Sequence, residues 1–318
     1  MTGYVLRRVL QGIPVLFLIS AIVFTVVAFI PGDPAMVVLG RGASPENLAA
    51  VRERLGLDRA LPVRYVAWLG QVLTGDLGTS ILSQQPVADL LGRALPITLY
   101  LAALALVLAV AISVPAGTIA ALRRNTWADL LFTGWAFLGV SVPGFWLAMM
   151  LVYLFGVRLQ WVPLEGYIAP GDHLGASLRT MILPAVTLGV FLSGPLTRYL
   201  RSSVLQAAEQ EFVVVARAKG LAERTVVGRH VLRTSLLPFV TVLGLQVGYL
   251  LGGAVVIENV FALPGIGDLA VSAIGNRDYP VIQGVVLVVA AGVVATNILV
   301  DVLYAALDPR IRLGQGSV

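Results

Sequence analysis

Six long stretches of the chain consist of apolar residues with no charged residue among them. They cover about residues 9–30, 97–122, 130–157, 181–197, 236–257 and 281–300. Crossing about 30 Å of hydrocarbon takes roughly 20 helical residues, so each stretch can form one membrane-spanning helix. Strands of a membrane barrel would instead alternate apolar and polar residues in segments of about ten. The pattern therefore predicts an all-α, polytopic membrane protein with six transmembrane helices in a single domain, 1–318.

Composition agrees with this prediction and excludes several classes of function. The chain is 58% hydrophobic and only 12% charged, whereas soluble proteins average about 25% charged residues. It contains no cysteine, which excludes disulfides and thiolate metal sites. Its only lysine, Lys219, precedes Gly220 rather than the Ser or Thr of a phosphate-binding loop. We therefore expect no catalytic site, no cofactor and no metal site.

The distribution of charge predicts the orientation in the membrane. Six spans place both termini on one side, and that side holds 13 of the 22 Lys and Arg residues but only six of the 17 acidic residues. Because positive charge is enriched on the cytoplasmic side, we expect cytoplasmic termini in a cell (inner) membrane. Residues 31–95 are then an external segment, and residues 198–237 form a cytoplasmic region. Topology explains the small basic excess better than nucleic acid does.

Three glycines of the fifth span form the clearest packing pattern. Gly244, Gly248 and Gly252 recur every four residues, which places them on one helix face where backbones can approach closely. A bulky residue at Gly248 should therefore impair folding or partner assembly.

Prolines within the spans are candidate kinks, with structural packing as the alternative to a gating hinge. They are Pro115, Pro143, Pro184 and Pro195.

The spans carry few polar groups that could handle a substrate. Gln246 and Glu258 are the candidates for a substrate path, although an amide such as Gln246 also ties helices together. Glu258 and Asp301 lie at span ends, where we expect them to be interfacial. An ion-driven transporter usually has an Asp, Glu, Lys, Arg or His within its spans, and these six spans carry none of them at mid-depth. This favours a passive pore or a subunit that a partner drives.

The region 198–237 has the pattern of a helix, a break and a second helix. Gly220 is suited to a left-handed turn at the end of the first helix, and Lys219 to its last turn. The second helix carries an approximate apolar stripe, formed by Val226, Val227, Val231 and Leu232. A basic amphipathic segment resting on anionic lipid is the alternative interpretation.

This region resembles the coupling loop of ABC importer permeases. The general pattern of that loop is matched at Ala216, Gly220 and Leu232, whereas Val214, Val215, His230 and Arg233 depart from it. A closer match is the form found in B-type permeases of dipeptide, oligopeptide and nickel systems. It comprises Ala216-Arg217-Ala218-Lys219-Gly220-Leu221, Arg229-His230-x-Leu232-Arg233 and Leu237-Pro238.

Further stretches extend the resemblance over nearly the whole chain. They are Pro31-Gly32-Asp33-Pro34, Leu55-Gly56-Leu57-Asp58, Gly75-Asp76-Leu77-Gly78, Arg277-Asp278-Tyr279-Pro280, Gln283-Gly284 and the 301–310 segment that ends in Asp308-Pro309-Arg310.

The resemblance implies a type I ABC importer permease bundle in a heterodimer with a second, C-type permease. Further partners would be two cytoplasmic ATPase subunits, an extracytoplasmic substrate-binding protein and membrane lipid. The segment 31–95 would face the binding protein. The residues Ala216, Arg217, Ala218, Lys219, Gly220 and Leu221 would couple to an ATPase. Peptides would be imported by alternating access.

Three alternatives to peptide import remain open at this point. Nickel or another chelated metal is the alternative substrate within the same family. A passive channel and a membrane-embedded enzyme are the alternatives from other classes.

Overall fold

The computed structural model describes residues 2–29, 34–39, 44–54, 58–163 and 166–307. Parts of three sequence motifs, residues 31–33, 55–57 and 308–310, lie outside the described residues.

The described residues form α-helices joined by turns, with one isolated β-bridge between Thr79 and Pro86. The predicted all-α class is therefore confirmed. The helices are α1 Thr2–Ala28, α2 Pro34–Leu39, α3 Pro45–Arg54, α4 Leu61–Leu73, α5 Val87–Leu122, α6 Trp127–Ser141, α7 Gly144–Leu151, α8 Leu174–Ala208, α9 Glu211–Ala218, α10 Glu223–Thr225, α11 Leu232–Val260, α12 Ile266–Asn276 and α13 Tyr279–Leu307. Two π-helical segments, Val152–Arg158 and Val226–Val231, continue α7 and α10.

Within the described residues, five helices are long and apolar enough to cross a membrane. They contain the predicted spans 9–30 (except Phe29 and Ile30), 97–122, 181–197, 236–257 and 281–300, in α1, α5, α8, α11 and α13. Most of these helices extend beyond the apolar stretches. For example, α5 begins at Val87 and its first turns include Asp89 and Arg93. A helix can continue through charged residues, whereas the predicted span ends where the charge begins.

The third predicted span, 130–157, is wrong as a single continuous helix. Helix α6 and the helix that begins at Gly144 meet at a bend of 102°. Val142, between them, is extended, with φ −85° and ψ 124°. Pro143 explains the break, since a proline disfavours helical backbone in the preceding residue and cannot donate a backbone hydrogen bond. The other predicted kinks, at Pro115, Pro184 and Pro195, lie in unbroken helices.

The chain divides into two compact units. Among the described residues, one comprises Leu99–Leu263 and residues 296–307. Within it, α8 packs very closely against α5 and α6. A Cβ atom on Gly117 would lie 2.9 Å from the carbonyl oxygen of Thr197, and one on Gly194 would lie 2.7 Å from that of Ala136. Glycine permits these backbone contacts, because any side chain would force the helices apart.

The other unit comprises Thr2–Thr98 and Pro264–Ala295. Its buried core includes Val27, Val87, Leu91 and Ile282. Within the segment 31–95, Ser44 caps the start of α3, where the Asn47 amide donates to Ser44 Oγ over 3.3 Å. Helix α3 is rich in charge, whereas α4 is apolar apart from Arg64 and Gln71.

Candidate functional site

The predicted break after the first helix of region 198–237 is a hydrogen-bonded turn. Helix α9 ends at Ala218, and Gly220 adopts φ +74°. The Leu221 amide donates to the Ala216 carbonyl over 3.4 Å, and the Gly220 amide donates to the Arg217 carbonyl over 2.9 Å. These two bonds define a Schellman motif, which requires a left-handed residue at its centre. The left-handed turn predicted from Gly220 is thus confirmed.

Gly220 is required by its backbone conformation rather than by crowding. A Cβ atom built on it would meet nothing within 4 Å. A larger side chain would nevertheless strain the turn by about 1–2 kcal/mol, since non-glycine residues disfavour positive φ. A substitution here would therefore act on the shape of the turn.

Helix α9 has one buried and one exposed face. Val213 and Ala216, one turn apart, are buried, where α9 packs against α8 and the π-helical segment Val226–Val231. Ala216 therefore fixes the helix in place, unlike the other five predicted coupling residues, which are exposed.

The exposed side carries several large apolar residues near the turn. They are Phe212, Val214, Val215 and Leu221, which we call the turn surface. Clusters of exposed apolar side chains are typical of a surface that binds a partner.

An ion pair closes the turn on its other side. Arg217 donates from Nη2 to Glu223 Oε1 over 2.7 Å and from Nε to Oε2 over 3.2 Å. This hydrogen-bonded carboxylate raises the pKa of Arg217 above its ordinary value, so the guanidinium remains charged. Both side chains are exposed, so the pair adds little to the free energy of unfolding. It joins the end of α9 to the start of α10. Sequence reasoning missed it, because a spacing of six residues across a turn follows no helical rule.

The second helix of the region anchors the turn to the spans. In the predicted apolar stripe, Val226 and Val231 are fully buried, and Val227 and Leu232 are half-buried. Ser235, at the start of α11, donates to the Ser203 carbonyl of α8 over 3.2 Å. The stripe is therefore confirmed, and it faces protein rather than lipid.

A buried ion pair that the sequence analysis missed joins α6 to α8. The Asp129 carboxylate accepts from Nε and Nη2 of Arg201, both over 2.7 Å. It also accepts from the Asn125 amide and the Thr133 hydroxyl, each over 3.1 Å. Charge-assisted bidentate pairs of this kind combine strength with a fixed direction.

The three glycines of α11 have different surroundings. Gly244 lies directly against the Val300 side chain of α13, so a Cβ there would clash. Gly248 and Gly252 have open space where a Cβ would stand. The packing role of these two glycines remains a prediction, and a neighbour for them would have to come from outside the described chain.

The two candidate residues of a substrate path are both buried. Gln246 is only 9% exposed, and Glu258 is fully buried. Glu258 therefore lies against protein rather than on the surface of the chain, and its interfacial depth in the membrane remains a prediction. A charge at a span end need not meet water, because the protein interior here supplies its interaction partners. The role of either residue in transport remains a prediction.

The motif Arg277–Pro280 forms a clamp with the segment after α4. Asp278 is buried, and its carboxylate accepts from Ser80 Oγ over 2.5 Å and from the Ile81 amide over 3.1 Å. Arg277 before it adopts φ +56° at the end of α12. The clamp thus fixes the loop after Gly78 against the start of α13.

Comparison with known proteins yields two family matches. Residues 113–313 match the family described as binding-protein-dependent transport system inner membrane component. Residues 1–102 match the N-terminal region of such membrane components.

Two curated relatives align with almost the whole chain. A Brucella abortus (strain 2308) protein, by its name a candidate peptide transport system permease, is 43% identical over 312 residues, which cover 98% of this chain and 99% of that one. The glutathione transport system permease protein GsiC of Escherichia coli O6:H1 is 41% identical over 312 residues, with the same two coverages.

Two solved structures share the fold. The MetNI methionine ABC transporter in an inward-facing conformation gives a TM-score of 0.57 at 16% identity, covering 70% of this chain and 97% of that one. An amino acid ABC transporter with histidines gives a TM-score of 0.53 at 12% identity, covering 69% and 94%.

Proposed function

Because the chain belongs to the family of binding-protein-dependent transport system inner membrane components, we propose that it carries peptides through an ATP-driven importer as one of two permeases. Relatives over 40% identical along their whole length are named for peptide and glutathione transport. Both names point to substrates with peptide bonds. They favour peptides over chelated nickel, which is the alternative within the family.

The turn surface is the observation that supports the coupling role most directly. Four large apolar side chains stand exposed around a turn whose conformation is fixed by backbone hydrogen bonds and by the Arg217–Glu223 pair. A preordered apolar projection suits a groove on a partner, because little conformational entropy is lost on binding. We assign this projection to an ATPase subunit on the cytoplasmic side, where the excess of Lys and Arg places region 198–237.

The contacts around α9 give a physical route for movement from the ATPase to the spans. Val213 and Ala216 fix α9 on α8 and on the π-helical segment. The Ser235–Ser203 hydrogen bond ties the start of α11 to α8, and the Asp129–Arg201 pair ties α6 to α8. A displacement of the turn would thus move α8 first, together with the inner ends of α6 and α11. This movement would alternate the access of a path shared with the second permease.

On the external side, the Asp278 clamp is our candidate for receiving the binding protein. It holds residues 80–82 at a fixed place beside the start of α13. A loop fixed in this way can present its exposed side chains, among them Leu82, to a docked partner without reordering.

A charge on the turn surface tests the coupling role. Val215→Asp would place an unpaired carboxylate in the interface with the ATPase, and we expect ATPase binding to weaken at least about tenfold, since an unpaired buried charge costs several kcal/mol. Ala50→Asp on α3 is the control for ATPase binding, because it adds the same charge at an exposed position far along the chain. Bound ATPase and peptide uptake would be measured on the reconstituted complex. Unchanged ATPase binding and uptake in Val215→Asp would refute the assignment.

The substrate is tested by competition. Liposomes holding the complete importer would take up a labelled dipeptide or glutathione in the presence of its binding protein. We expect unlabelled peptides to compete and nickel chelates to have no effect. Uptake of nickel with no uptake of either peptide would replace peptide import by the alternative, while leaving the coupling role intact.

A further inference from the structure

Helix α4 lies within the external segment 31–95, yet its sequence is that of a helix surrounded by apolar material. Among its residues Leu61–Leu73, Arg64 is the only one with a charge. The half-buried side consists of Leu61, Arg64, Tyr65, Trp68, Leu69 and Val72. The opposite side is exposed and almost wholly apolar: Val66 is 67% exposed and Leu73 is 80% exposed. Helices that are apolar all round are buried in protein or lipid.

The half-buried side of α4 packs against the middle of the first span. The Tyr65 ring makes an edge contact with the Phe24 ring at a centroid distance of 5.5 Å. The Trp68 ring lies 5.4 Å from the Phe24 ring. The Tyr65 hydroxyl and Ser20 Oγ share a hydrogen bond of 2.9 Å. Ser20 is near the centre of the predicted span 9–30, so Tyr65 reaches well below the membrane surface. Its hydroxyl has the partner that a polar group in hydrocarbon requires.

The exposed side of α1 is also apolar. On α1, Leu18, Ile22 and Val26 are each more than half exposed. At 13 residues, α4 is about 20 Å long, too short to cross about 30 Å of hydrocarbon. Arg64 lies at the edge of the packed side, and a long cationic side chain can reach the headgroups from an apolar helix.

From these observations we infer that α4 is a membrane-interface helix, which inserts the side bearing Val63, Val66 and Leu73 into the acyl chains of the external leaflet. The partner of this surface is lipid hydrocarbon. The charged helix α3 of the same segment stays in water. The segment 31–95 is therefore divided between water and membrane, and α4 fixes the first span at its external half.

Spin labels on single cysteines test this placement, because the natural chain has no cysteine. Val66→Cys reports on α4, Ile22→Cys on the lipid-facing surface of α1, and Ala50→Cys on the aqueous side of α3. Each variant would be labelled in the complete importer, reconstituted in liposomes, and its collision rates measured with oxygen and with a water-soluble nickel complex. We expect the ratio of oxygen to nickel collisions at Val66 to match that at Ile22 and to exceed that at Ala50 several-fold.

Two results would overturn the inference. A ratio at Val66 equal to that at Ala50 would place the exposed side of α4 in water. Low collision rates with both reagents would show that a protein partner, such as the second permease, covers it. Val63→Cys repeats the measurement one turn earlier in case the label at Val66 prevents assembly.

Discussion

Removing the carboxylate of Asp129 is the sharpest test of how the spans are held together. Asp129→Asn keeps the shape of the side chain but removes the charge that receives two 2.7 Å hydrogen bonds from Arg201. Breaking a buried ion pair costs about 3–5 kcal/mol, mainly because the remaining charge stays unpaired. The Arg201 side chain is 27% exposed, so water partly compensates it. We therefore expect a loss of about 2–3 kcal/mol in the free energy of unfolding.

A double-mutant cycle separates the pair from its surroundings. Asp129→Asn, Arg201→Gln and the double variant would be unfolded in mixed micelles by titration with SDS. We expect a coupling energy of about 1.5–2.5 kcal/mol between the two positions, as for hydrogen-bonded groups in contact. Arg198→Gln is the matched control. Arg198 is exposed on α8 and lies over the Phe137 ring, at 5.1 Å from its centroid, a contact worth about 0.5–1 kcal/mol.

The same variants test the mechanical role of the pair. If the pair holds α6 to α8 during transport, Asp129→Asn in the reconstituted importer should lower the number of peptides imported per ATP hydrolysed, while Arg198→Gln should not. A coupling energy below about 0.5 kcal/mol, which is within ordinary additivity, together with an unchanged transport ratio would refute this reasoning.

Three further substitutions test the turn, the α11 glycines and the external clamp. Gly220→Val should leave the spans inserted but weaken ATPase binding about tenfold, because about 1–2 kcal/mol of backbone strain corresponds to roughly that factor. Gly228→Val is the control, since Gly228 is exposed and has no positive φ. This control variant should bind the ATPase normally in the same pull-down. Gly248→Leu should leave the thermal stability of the isolated permease unchanged, since a Cβ there meets nothing within 4 Å, whereas Gly244→Leu should lower it through its clash with α13; equal melting temperatures would contradict this. Asp278→Ala leaves a buried hydroxyl and a backbone amide without their acceptor and should cost about 2 kcal/mol in the free energy of unfolding, with weaker stimulation of ATP hydrolysis by the binding protein as the functional readout.

The sequence predicts the spans well, because each helix that crosses hydrocarbon must be long and apolar and must satisfy its own backbone hydrogen bonds. The turn at Gly220 was predictable for a similar reason, since only the local backbone decides it. The break at Pro143 could be suspected, but its angle depends on how the helix after it packs against α8. The Asp129–Arg201 pair could not be found, because 72 residues separate its partners along the chain and no periodicity connects them. The complete burial of Glu258 could not be predicted either, because it depends on which parts of the chain pack around the end of α11.

The break between α6 and α7 also determines which parts of the permease can transmit force. A continuous helix transmits a push along its axis, because its turns are hydrogen-bonded to one another. At Val142 the backbone is extended and this series of hydrogen bonds is interrupted. We expect a push applied at Asp129 to be transmitted along α6 only as far as Ser141, because the chain then changes direction by 102°. Helix α8 has no such interruption, since it remains helical through Pro184 and Pro195 over 35 residues. We therefore expect a movement of the turn to travel along α8 from one membrane surface to the other, together with the part of α6 that the Asp129–Arg201 pair holds against it.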